Sequence, residues 1–190
     1  MPRGKQKHSL KPNLYLLGFM GTGKSALGKK VAVKLGLNFL DSDAEIEKSE
    51  GKSISDIFAQ KGEAYFRQLE KKFIESGHPD SGCVISCGGG MTCSEGMPEL
   101  VKSKGVCIVL FTTPEEVYAR TANNDKRPLL NVDDKLSKIR ELMEKRRPYY
   151  MKSGIAIAAN APIKNTLDHI IRIYASRRKA FARKIKSGES

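Results

Sequence analysis

The sequence has 190 residues, is 39% hydrophobic and carries 34 Lys and Arg against 21 Asp and Glu, a net charge of +13 at pH 7. A chain of this size forms one globular domain that buries about 70% of its unfolded surface, which excludes a second independent domain. It has no run of about 18 apolar residues to span a membrane, and residues 1–11 are polar and basic with no secretory apolar core, so a soluble, cytoplasmic protein is expected.

Residues 14–17 predict a buried first strand, and they run directly into Gly18-Phe19-Met20-Gly21-Thr22-Gly23-Lys24-Ser25. This is a phosphate-binding loop with full spacing: Gly18, four residues, then Gly23, Lys24 and Ser25. Its glycines let backbone N–H groups curl toward one point, which with the N-terminus of the following helix makes a cradle for phosphate oxygens. Gly21, Thr22, Gly23, Lys24, Ser25 and Ala26 are the expected nucleotide contacts. Lys24 is expected to reach the β and γ phosphates of ATP, and the Ser25 hydroxyl to ligate Mg2+.

A helix with Leu27, Val31 and Leu35 on one face follows and ends at Gly36. Residues 37–40 predict a second strand that delivers Asp41 and Asp43 at its carboxyl end, where ligands collect in open parallel sheets. By themselves the two carboxylates also suit a helix N-cap. Downstream of a phosphate loop, Asp41 is expected to hold the metal, directly or through a water, and Asp43 to accept a proton from an acceptor hydroxyl or to orient it.

Residues 44–76 read as helical three times over with no strand between, a candidate substrate-binding insertion. Ser53 caps the middle helix, Gly62 ends it, and Phe66, Leu69 and Phe73 stripe the last. Arg67, beside Phe66, reads locally as a snorkelling side chain. A third strand at 84–87 meets Gly88-Gly89-Gly90, a site of close backbone approach to a ligand or simply a flexible turn. A continuous apolar fourth strand spans 106–111, and Thr113-Pro114-Glu115-Glu116 then caps a helix bearing Arg120.

Residues 123–130 form a polar, basic loop ending in Arg127-Pro128-Leu129-Leu130. It suits a lid over phosphates, at about 122–133, or an ordinary surface loop. A helix over Leu136, Ile139 and Leu142 ends in the stretch Arg146 to Tyr150, a short fifth strand includes Ile155 and Ile157, and a last helix carries Leu167, Ile170, Ile171 and Tyr174. Cys83, Cys87, Cys93 and Cys107 lack zinc-ligand spacing and read as reduced structural thiols.

Ten of the thirteen net charges lie at the ends. Arg3, Lys5, Lys7 and Lys11 open the chain; Arg172, Arg177, Arg178, Lys179, Arg183, Lys184 and Lys186, less Glu189, close it. No aromatic-and-basic sheet motif or zinc-finger spacing accompanies them, so solvated tails at 1–11 and 175–190 are expected and nucleic acid is not an expected partner. No long apolar stripe is left unassigned, and a monomer is the expectation.

The fold class that follows is α/β: a five-stranded parallel sheet flanked by helices, a P-loop kinase fold with a helical insertion and a lid. The chain resembles the shikimate kinase family from Leu14 to about Tyr174. The motifs that carry the resemblance are Gly18 to Ser25, Asp41-Ser42-Asp43, Gly51-Lys52-Ser53-Ile54 with Gly62-Glu63 and Phe66-Arg67, Gly88 to Gly90, Arg127-Pro128-Leu129-Leu130, and Arg146-x-Pro148-x-Tyr150. The resemblance implies Mg2+-dependent phosphorylation of shikimate by ATP in aromatic amino-acid biosynthesis. It implies that Asp43 holds a ring hydroxyl and acts as base, that Arg67 and Arg146 clamp the shikimate carboxylate, and that Gly88, Gly89 and Gly90 line the same pocket. Arg127 would close onto the ATP phosphates and Arg120 would pack near the adenine. Ala26 departs from the family, where Thr is common, as does Ser153-Gly154, where Ala-Asp is usual. The competing readings are a kinase for another small polyol acid such as gluconate or for a nucleoside monophosphate, and a non-catalytic binding protein of the same fold.

Overall fold

The computed structural model describes residues 11–121 and 132–187, with side chains through Arg183. Five parallel strands form one sheet in the order β2-β3-β1-β4-β5. The central strand is β1 (Asn13–Gly18), buried at every position, with β2 (Asn38–Asp41), β3 (Cys83–Ser86), β4 (Gly105–Phe111) and β5 (Ile155–Ala158) around it. Side chains alternate across the sheet, so β1 supplies both layers of the core. Leu14 and Leu16 face α1 (Lys24–Leu35) and α7 (Ile163–Ser187), whereas Tyr15 and Leu17 face the side covered by α3 (Ile54–Ser76), α4 (Met97–Lys104) and α6 (Lys135–Ser153). Two shorter helices, α2 (Ser42–Glu50) and α5 (Pro114–Thr121), follow the carboxyl ends of β2 and β4.

The chain steps from β1 toward β2 and β3 on one side, then crosses β1 to reach β4. The strand order therefore reverses beside β1, and a crevice opens beyond the carboxyl ends of β1 and β3. The expected five-stranded parallel sheet is the sheet observed.

Several boundaries differ from the sequence reading. Helix α4 has no sequence counterpart; it begins after Gly96 with Pro98 in its first turn and buries Met97 and Val101. Helix α6 continues through Pro148 to Ser153, because Tyr150 and Ser153 keep its inner face buried beyond the proline. The middle and last helices of the insertion join as α3, but Gly62 breaks them with φ 77° and ψ 174°. The C-terminal stretch is helix through Ser187 rather than tail. All four cysteines are free, and none of the described helices is long and apolar enough to cross a membrane.

Candidate active site

The crevice is a cavity of about 980 Å³ lined by the phosphate loop, the start of α2, the kinked face of α3, the glycines after β3 and Arg146 of α6. The loop's shape follows from its glycines: Gly18, Gly21 and Gly23 have φ of 126°, 76° and 90°, a region that side chains rarely enter. Lys24 is buried and folds back on the loop, its Nζ donating to the carbonyls of Gly18 and Phe19 at 2.8 Å each. Thr22 is buried outside the cavity lining, its hydroxyl donating to the Phe19 carbonyl at 2.9 Å. Ala26 is exposed and lines the cavity.

Beyond the loop, the Ser25 hydroxyl donates to Asp41 Oδ2 at 2.7 Å and lies 3.0 Å from Ser86 Oγ. These three hard oxygens suit a small cation such as Mg2+, which uses one or two carboxylates and leaves its other positions to phosphates and water. Asp41 is also the N-cap of α2, accepting from the Asp43 N–H at 3.2 Å. Asp41 thus caps α2 through Oδ1 while its Oδ2 faces Ser25, so the N-cap reading of this residue is the one observed and the metal reading is compatible with it. Asp43, in the first turn of α2, points toward the glycines after β3: a Cβ on Gly88 would come within 2.5 Å of its Oδ1.

The far wall is cationic. Arg67 Nη2 pairs with Glu63 at 2.6 Å and its Nη1 with Glu70 Oε2 at 2.5 Å. A Cβ on Gly90 would lie 2.5 Å from Arg67 Nη1, so only glycine leaves the guanidinium its place. From the other side Arg146, itself buried, donates through Nη1 to the Gly89 carbonyl at 3.4 Å and lies over the Phe19 ring, 5.4 Å from its centroid. Two arginines, one aspartate and a triple-glycine wall thus share a cavity with a phosphate loop. The family model described as shikimate kinase matches residues 20–175.

The chain belongs to the shikimate kinase family. The shikimate kinase of Persephonella marina is 47% identical over 146 residues, 77% of this chain and 88% of its own length. That of Deinococcus radiodurans is 42% identical over 164 residues, 85% of this chain and 83% of its own. Among solved structures, the shikimate kinase from Acinetobacter baumannii in complex with shikimate superposes with a TM-score of 0.84 at 33% identity, covering 89% of this chain and 96% of that one.

Arg120 of α5 stands beside the phosphate loop. Its Nη1 donates to the Gly21 carbonyl at 3.2 Å, and Nη2 to Glu116 Oε2 at 2.9 Å, an oxygen that also accepts from Thr112. Arg127 and nearly all of the expected lid, residues 122–131, lie outside the described residues.

Four further residues belong to the site's neighbourhood without an expected site role from the sequence, where Tyr150 stands only in a motif and Glu116 only in a helix cap. Ser86 ends β3 immediately before the glycines and meets Ser25. Tyr150 donates its hydroxyl to the Gly89 carbonyl that Arg146 also reaches. Glu116 anchors Arg120. Glu70, 1% exposed, pairs with Arg67 through Oε2, while its Oε1 is buried without a hydrogen-bond partner. Burial pushes the Glu70 carboxyl up to about 7, against the pull of Arg67 and with a further push from Asp43. Its signal in the sequence is the three-residue spacing from Arg67, which puts both on one helix face.

Proposed function

We propose that the protein transfers the γ-phosphoryl group of ATP to the 3-hydroxyl of shikimate. The observation that carries this reading is the convergence of Asp43, Arg67, Arg146 and Gly88 to Gly90 with Lys24 and Ser25 on one cavity. The shikimate carboxylate sits between Arg67 and Arg146, whose planar guanidinium groups bind it in two-point fashion and remain charged at any working pH. Backbone N–H groups of Gly89 and Gly90 complete that end, while the Gly88 N–H donates to Ser42 Oγ at 2.9 Å. The ring then places its hydroxyl at Asp43, and the γ phosphate faces it from the loop.

Asp43 takes the hydroxyl proton as the ring oxygen bonds to phosphorus and the bond from phosphorus to the β–γ bridging oxygen breaks, leaving ADP. Lys24 exchanges its two loop carbonyls for phosphate oxygens as ATP binds, and Arg127 adds its charge from the lid. Ser25 and Asp41, with Ser86 nearby, would hold Mg2+, which would supply charge neutralisation on the phosphates. Phosphoryl transfer has a loose transition state, so positioning and neutralisation supply most of the acceleration. Residues 44–76 serve as the substrate-binding part of a single domain that works as a cytoplasmic monomer.

A coupled ADP-release assay with MgATP tests the reading, using shikimate, gluconate, AMP and no acceptor. Release that depends on shikimate alone is the expected result. Release with gluconate or AMP instead would keep the phosphate chemistry and overturn the carboxylate pocket; no release with any acceptor would leave a binding protein.

A further inference from the structure

The cavity and the terminal charge lie at opposite ends of the sheet. Tyr174 donates its hydroxyl to the Pro12 carbonyl at 2.8 Å, which pins α7 to the amino end of β1, whereas the cavity opens beyond the carboxyl ends. Helix α7 then runs on through residues 175–187, about 20 Å further at ~1.5 Å per residue. The family match covers residues 20–175 and so ends where this stretch begins.

The extension is cationic on its solvent side. No acidic residue occurs between Asp168 and Glu189. Arg172, Lys179 and Arg183 are exposed and, seven and four residues apart, share one helix face opposite the Leu167, Ile170 and Tyr174 face that packs on the sheet. Arg177 is exposed as well. Lys11, also exposed, has its Nζ at the Leu35 and Gly36 carbonyls at the end of α1, 3.4 and 3.3 Å away, and adds a cation at this same end. Lys30 and Lys34 are exposed on α1, which packs beside α7. Asp80, on the loop that bridges to Pro12, is an exposed acid here. Sequence alone gives these cations no common surface; the fold gives them one.

We propose that this pole is a docking surface for the phosphate backbone of nucleic acid, read without regard to base sequence. Along the helix the Arg172, Lys179 and Arg183 positions are separated by about 10 and 6 Å, or roughly three and two nucleotide steps at ~3.4 Å each, so the cations can pair with separate phosphates along one strand. An anionic membrane fits less well. Phe181 is the one large apolar side chain described beyond Tyr174, with Ile185 after it in the sequence, and an interfacial helix needs a broader apolar face. Docking at this pole leaves the cavity open, so the kinase works with nucleic acid bound.

Fluorescence anisotropy of the full-length protein with a labelled 20-nucleotide single strand and a matching duplex tests the proposal across salt concentrations. The expected result is a Kd of order 10 μM near 100 mM salt, with a log–log salt slope of about −3. In Lys179→Glu/Arg183→Glu, affinity falls ~10-fold or more and the slope flattens by about 2, while shikimate-dependent ADP release, the check on folding, is unchanged. Arg183→Gln alone gives an intermediate loss. Lys138→Glu/Lys145→Glu, the same net-charge change on α6, moves affinity by less than about threefold. Equal losses in the two double variants would mean that overall charge alone acts, and would overturn the proposal. So would absence of binding, or vesicles containing phosphatidylserine being bound in preference to the strand.

Discussion

Asp43 and Glu70 face Gly88 from two sides: a Cβ there would lie 2.5 Å from Asp43 Oδ1 and 2.9 Å from Glu70 Oε1. The two carboxyls take different parts because their surroundings differ. Asp43 lines the cavity at the head of α2, placed to accept the acceptor's proton, so Asn at this position should lower kcat by about 100-fold or more while the shikimate KM stays within about threefold. Arg67→Ala removes one arm of the clamp and should weaken shikimate binding by ~1.5–3 kcal/mol, a 10- to 100-fold rise in KM for shikimate with the KM for ATP little changed. Glu70 is the buried anchor of that arm, and burial holds its carboxyl up at about 7. Because this lies above the unfolded value, the protonated carboxyl stabilises the fold fully below about pH 4.5, and that contribution is lost as pH rises through 7. Thermal melts from pH 4 to 8 should therefore show wild type losing stability relative to Glu70→Gln as pH rises, and a pH-independent difference would contradict the assignment. Lys24, Ser25 and the acidic pair were readable in the sequence because a phosphate loop fixes which residue types must follow. Glu70 was not, since a glutamate in an amphipathic helix reads as surface until the fold turns it inward.

Elements position these residues, and two glycines separate what holds the fold from what shapes the pocket. At Gly18 a Cβ would lie 2.3 Å from the Leu110 carbonyl in β4, and φ is 126°. Backbone cannot move away cheaply, so Gly18→Ala should destabilise the protein by about 2 kcal/mol or more in a denaturant titration. At Gly90 the obstruction is the Arg67 guanidinium, the far end of a flexible side chain. Gly90→Ala should leave the melting temperature within about 2 °C of wild type yet raise the shikimate KM about 10-fold, because Arg67 must swing out of place; an unchanged KM would show that the glycines do not define this wall. Helices and strands with unbroken apolar periodicity were legible, as in α1 and β4. Helix α4 was hidden because Gly96 and Pro98 look like loop punctuation, and the end of α6 because Pro148 forfeits one backbone hydrogen bond while Tyr150 and Ser153 are buried beyond it. Tyr150 is consequential here: its hydroxyl occupies the Gly89 carbonyl, so Arg146 can turn to a ligand without orphaning that buried acceptor.

At the scale of the molecule, parallel topology divides the labour between the ends of the sheet. Carboxyl ends of β1, β2 and β3 carry the phosphate loop, the acidic pair and the glycines, and α3 and α6 bring arginines to them from either side. The order of elements was legible because β1, β2 and β3 each run into a candidate ligand-binding turn and β4 into a helix cap. Strand order, and with it the placing of the α7 cations at the opposite pole, was not, because it depends on crossovers that local pattern does not encode. The central claim is that this single cavity joins ATP to shikimate. Proton-coupled 31P NMR of wild-type protein with MgATP and shikimate tests it most directly. The expected result is loss of the γ-phosphate signal matched by one new phosphomonoester resonance coupled to the proton on C3 of the ring. Inorganic phosphate as the sole product, a phosphomonoester at another hydroxyl, or an unchanged ATP spectrum would contradict it.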